Sequence, residues 1–78
     1  MEFGSRRFAT VDEAEREALG LLNGYHLEEA EGLARAILAT DRTRPVAAAV
    51  LGIALYRNGR PVEALVPLAR AAALAPSI

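Results

Sequence analysis

Glu28, Glu29 and Glu31, with His26 just ahead of them, are the closest this chain comes to a reactive cluster. Carboxylates and an imidazole at such spacing could hold a cation or move a proton. A metal site needs further His or carboxylate ligands at ligand spacing, and none follows, so the glutamates read as a solvated helix face. His26 falls in a loop and reads as a turn residue. Ser77, near the end, is the one serine outside the first five residues. There is no cysteine, which excludes a disulfide or a thiolate metal site. There is also no glycine-rich phosphate loop. The expectation is a non-enzymatic chain with no catalytic residue, no metal and no cofactor, whose function rests on its surfaces.

Those surfaces are apolar. Val46, Val50 and Ile53 stand at i, i+4 and i+7, one stripe of a helix. From residue 61 to residue 78 the only charges are Glu63 and Arg70. Hydrophobic residues make up 53% of the chain, and its mean hydropathy of +0.17 is high for so small a soluble domain. A net charge of -1 argues against nucleic acid or an anionic membrane as the partner. The longest uncharged stretch, residues 45–56, is too short to insert across a membrane. No signal peptide is visible, so a cytoplasmic location is expected. All nine basic residues are arginine and alanine is abundant, which points to a GC-rich, bacterial coding sequence.

Four helices must position these surfaces. Thr10-Val11-Asp12-Glu13 is a capping box, in which the Thr10 hydroxyl can accept from the Glu13 amide and the Glu13 side chain can reach back. Ala14, Ala18, Leu21 and Leu22 follow at helical spacing. Asn23-Gly24 ends that helix, with Gly24 suited to the left-handed closing position. A second helix is predicted over residues 27–39, with Ala30, Leu33, Ala34, Ile37 and Leu38 as its apolar stripe. Pro45 opens a third, closed at Gly59, and Pro61 opens a fourth that ends near Pro76. Pro67 lies inside the fourth helix, where it removes a bond to Glu63 and predicts a kink or a displaced helix start. Residues 1–5 read as a translated cloning scar, outside the fold, and residues 6–10 as a lead-in.

Residues 45–76 are echoed 34 positions upstream: Ala64 matches Ala30, Leu55 matches Leu21, Gly52 matches Ala18, and Ala72 matches Leu38. A period of this size marks a stacked helical repeat. Leu51-Gly52, Tyr56, Gly59, Ala64, Leu68, Ala71 and Pro76 resemble the tetratricopeptide repeat. Small residues such as Gly52 and Ala64 sit where the two helices of a hairpin approach closely. The copy at residues 11–44 is degenerate: Ala14 replaces the opening aromatic, Glu17-Ala18 the Leu-Gly pair, Arg42 the closing proline, and Gly24 is displaced by one position. In the copy at residues 45–78, Ala48 stands in place of the aromatic. The resemblance covers residues 11–78 and implies an all-α fold of two antiparallel helix-turn-helix hairpins in a short right-handed solenoid.

The resemblance also implies a function, as a protein-interaction module that holds a peptide or helix of a partner in a concave groove. Carried over, the groove positions are Asp12, Glu15, Arg16, Leu19, Leu22 and Asn23 from the first repeat. From the second they are Val46, Ala49, Val50, Ile53, Tyr56 and Arg57. On this reading Val50→Glu and Ile53→Glu abolish binding and leave helicity intact. The alternative is that the stripe is core, covered by residues 6–9 with Phe8 or by a second subunit. The chain is also similar in size and repeat number to small bacterial type III secretion chaperones, which cover hydrophobic segments of secreted subunits.

The fourth helix suggests a structural role, as the oligomerisation or scaffold part of a larger assembly protein, or a repeat appended to an enzyme. Ala64, Leu65, Leu68, Ala71 and Ala72 are expected to pack on the third helix. Val62, Val66, Ala69, Ala73 and Ile78 have no partner within the chain, and no polar cap follows them. Self-association, as a homo-oligomer or a hetero-complex through this uncapped edge, is therefore expected.

Overall fold

Proline and glycine punctuate the chain where its helices begin and end. The computed structural model describes residues 2–3 and 6–74, and over them the fold is all-α apart from one small ribbon. Helix α1 spans Val11–Asn23, α2 Leu27–Thr40, α3 Pro45–Arg57 and α4 Pro61–Leu74. The Thr10 hydroxyl accepts from the Glu13 amide at 3.1 Å and starts α1. Pro45 starts α3 at its first turn, where a missing amide costs nothing. The assignment of residues 75–78 lies outside the described residues.

The loops after α1 and α3 are built alike, offset by 34 residues. After α1 the amides of Gly24, Tyr25 and His26 donate to the carbonyls of Gly20, Leu22 and Leu21; after α3 those of Asn58, Gly59 and Arg60 donate to Ala54, Tyr56 and Leu55. Both sets are Schellman closures, which need a left-handed residue one place past the cap. Gly59 fills that place with φ +80°. In the first loop it falls to Tyr25, with φ 62°, and Gly24 stays right-handed at φ -85°. The register of the repeat therefore overrides the glycine: position 25, not 24, is equivalent to 59.

Helix α3 is the centre of the molecule. It packs against α1, α2 and α4, and seven of its thirteen residues are buried. Its tightest neighbour is α4. A methyl group added at Gly52 would lie 2.5 Å from Leu68 Cδ2 and 3.2 Å from the Leu68 amide nitrogen. By contrast, Gly20 and Gly32 sit inside helices with open space where a side chain would go. Gly20→Ala and Gly32→Ala should each stabilise the fold by about 0.5–1 kcal/mol through helix propensity. Gly52→Ala should destabilise by about 1–2 kcal/mol, because overpacking outweighs the same propensity gain. Thermal melts of the three variants check this opposition of sign.

Three expectations are corrected here. Residues 2–3 belong to the fold: Glu2–Phe3 (β1) pairs antiparallel with Arg6–Arg7 (β2), and Phe3 is buried in the core. Strand β1 packs on α2, and Phe8 packs against the hydrophobic cluster to which Val50 belongs. Arg6 fastens the ribbon, bonding Glu17 of α1 at 2.8 Å and Glu29 of α2 at 2.9 Å. Second, of the two outcomes expected of Pro67, the displaced start does not occur: α4 begins at Pro61 and runs through Pro67. Third, α4 turns Ala64 and Pro67 inward and sets Leu68 beside Gly52, so Leu65 and Ala72 face outward and are exposed. The small side chains at Gly52 and Ala64 determine which face of α4 comes nearest.

Candidate partner-binding surfaces

Two of the expected groove residues are core. Val50 is 1% exposed and Leu22 3%, and both belong to the main hydrophobic cluster. Val50 is buried because α3 is flanked by all three other helices, so one stripe of it cannot also be a groove wall. Ile53 is half-buried and packs against the cluster, and Ala49 is half-buried. Leu19, Val46 and Tyr56 are exposed, as are Arg16, Asn23 and Arg57. The Arg57 guanidinium carbon stands 5.3 Å from the centre of the Tyr25 ring, a cation–π distance that joins the α1–α2 loop to the end of α3.

Glu15 is not available to a groove either, and Asp12, although exposed, is engaged by Arg44. Glu15 is buried, and its Oε2 accepts from the Ala47 amide at 2.9 Å. Ala47 is in the first turn of α3, so a carboxylate from α1 caps the positive end of the helix it packs against. Arg44 supports this arrangement. Its guanidinium lies 3.7 Å from Glu15, 2.6 Å from Asp12 and 3.1 Å from Asp41. The Asp41 carboxyl is held below the ordinary aspartate range, chiefly by the hydroxyl and amide of Thr43, with Arg44 adding to the effect. Arg44 is held correspondingly high by Asp41. A signal for Glu15 was present in the sequence: Val11, Glu15, Ala18 and Leu22 share the i, i+4, i+7, i+11 spacing of a core face.

A second network crosses from α2 to α4. Arg60 bonds Glu63 through Nε and reaches Glu31 at 3.2 Å through Nη1, while Glu31 accepts from Arg35 Nε at 3.1 Å. Arg60 lowers the Glu63 pKa and is itself raised by that contact. The pair stands 34 residues after His26 and Glu29, which lie 3.7 Å apart. The three glutamates near His26 are thus engaged with Arg6, Arg35 and Arg60 or left in solvent. Among the described residues no group of three His, Cys, Asp or Glu could hold a metal ion.

The outer face of α4 is different in kind. Val62 is 77% exposed, Val66 68% and Leu65 64%, with Ala69 and Ala73 exposed beside them. Where α4 meets α2 and α3 there is a cavity of about 280 Å³, floored by Leu38, Leu51 and Leu55 and walled by Val66 and Pro67. Arg35 and Arg70 stand at its edge. Nothing in the spacing of the sequence joined these two arginines. Among the described residues no helix is long and apolar enough to cross a membrane.

No protein-family model, curated protein or solved structure matches the chain, so its function is read from its own residues and their geometry.

Proposed function

We propose that this chain is a protein–protein interaction module of two tetratricopeptide-like helical hairpins, and that its contact surface is the outer face of α4. The observation that carries the reading is the exposure of Val62, Leu65 and Val66 on one helix. Contiguous apolar surface of this kind marks association sites on soluble proteins. The repeat supports it. Helix α2 is covered by both α1 and α3, while among the described residues α4 has only α3 as a major neighbour. Ala34 is fully buried, whereas its equivalent 34 residues on, Leu68, is 37% exposed.

The partner that fits this face first is a second copy of the chain. Between Pro61 and Leu74 the only charges are Glu63 and Arg70, and Glu63 is already held by Arg60. Two such faces can meet with Arg70 as the one charge of α4 that each copy brings unpaired among the described residues, and Arg70 is half-buried at the edge of the cavity. Val62→Glu with Val66→Glu should leave the helical content unchanged, since both side chains are in solvent. The same pair should weaken self-association at least tenfold in sedimentation velocity. A wild-type protein that stays monomeric at high concentration would overturn the homotypic reading.

A second reading keeps a peptide against α1 and α3, favoured by the exposure of Leu19, Val46 and Tyr56 with Arg16, Asn23 and Arg57 around them. A secretion chaperone would use such a surface for the hydrophobic segment of its client.

A further inference from the structure

We infer that the cavity between α2, α3 and α4 is an anchor site for an acidic, leucine-bearing peptide segment of a partner. It rests on the partner-binding reading above and names the chemistry of what is bound. The floor is aliphatic throughout, from Leu38, Leu51 and Leu55. At about 280 Å³ the cavity falls just below the roughly 300–1,000 Å³ usual for small-molecule clefts, a size for one or two aliphatic side chains.

The edge supplies the charge. Arg70 is half-buried, and no described residue forms an ion pair or hydrogen bond with it. Arg35 spends only its Nε on Glu31 and leaves both terminal nitrogens without a partner among the described residues. The two charged residues that line the cavity are Arg35 and Arg70, and the one carboxylate bonded to either of them among the described residues is Glu31, an excess of one positive charge. An aliphatic side chain seated on the leucines, with a glutamate or aspartate beside it, would place a carboxylate between the two guanidinium groups. Planar guanidinium groups bind carboxylates through paired hydrogen bonds, which gives the site its direction as well as its charge preference.

The test is titration of the isotope-labelled protein with an acetylated and amidated hexapeptide, glycine–glutamate–leucine–leucine–glutamate–glycine, followed by amide chemical shifts. The expected shifts centre on Arg35, Leu38, Leu51 and Arg70. Replacing both glutamates of the peptide by glutamine should weaken binding about tenfold or more, the scale of a charge-assisted hydrogen bond. Arg70→Gln should do the same to the acidic peptide and leave the glutamine peptide unaffected, with an unchanged spectrum elsewhere confirming the fold. Equal binding of the two peptides, shifts confined to α1 and the outer side of α3, or no binding up to millimolar concentration would each overturn the proposal. Those results would leave the α4 reading standing: Val66 is shared by the face and the cavity wall, but the α4 reading is tested by self-association in sedimentation, without the peptide, and Val62 does not line the cavity.

Discussion

Val50→Glu should unfold the protein at room temperature. Val50 is among the largest fully buried side chains and belongs to a helix packed on three others. A carboxylate placed there has no cationic partner in the cluster around it. The effective penalty for burying an unpaired charge is several kcal/mol. At 0.05–0.15 kcal/mol per residue, a chain of 78 residues has a total stability of roughly 4–12 kcal/mol. The penalty is therefore a large part of the whole. Far-UV circular dichroism should report the loss of helix. Val46→Glu is the matched control: its side chain is exposed in the first turn of α3, where a negative charge suits the helix dipole, and its melting temperature should stay within a few degrees of the parent. A Val50→Glu protein as helical as the parent would return Val50 to the surface and restore the groove stripe that its spacing suggested.

Glu15→Ala should cost about 2–3 kcal/mol, the upper range for a hydrogen bond to a charged group together with the loss of a buried side chain's packing. The Ala47 amide would lose its acceptor inside the α1–α3 contact, and Arg44 would lose one of its three carboxylate neighbours. For a domain of this size the expected drop in melting temperature is roughly 10–20 °C. Glu15→Gln keeps an acceptor oxygen and should recover more than half of the loss. If alanine and glutamine destabilise equally, the charge on the helix end matters and the hydrogen bond does not. If neither destabilises, the cross-helix cap contributes nothing.

The helices were legible in the sequence because their ends are written in local chemistry. Thr10 as cap and Pro45 and Pro61 as openers act within one turn of where they stand. The 34-residue register was legible too, and it reaches further than the glycine pattern, since the closing bonds after α1 repeat those after α3 around a tyrosine. Other features depend on neighbours that are distant in the chain. Val50 has the same spacing whether it faces solvent or α1, and only the central place of α3 decides. Glu15 carries the type of a surface residue on the spacing of a core one. Phe3 belongs to a segment whose composition suggested no fold at all, and its burial depends on α2. Leu65 and Ala72 were misplaced because the closest approach of α4 is set by Gly52 and Leu68, not by the apolar residues around the helix.

The N-terminal ribbon limits stoichiometry. Phe3 is sunk in the core and Arg6 ties the ribbon to Glu17 and Glu29, so apolar surface beside α1 and α2 is already occupied by the chain's own residues. Among the described residues, the most exposed aliphatic side chains are Val62, Val66 and Leu65 of α4. A module with two open ends stacks head to tail into filaments, whereas one with a single bare end that pairs with its own copy is finished at two. If the chain pairs with its own copy through α4 as proposed, the expected product is a dimer, and removing the ribbon is the change that would expose a second apolar surface for further assembly.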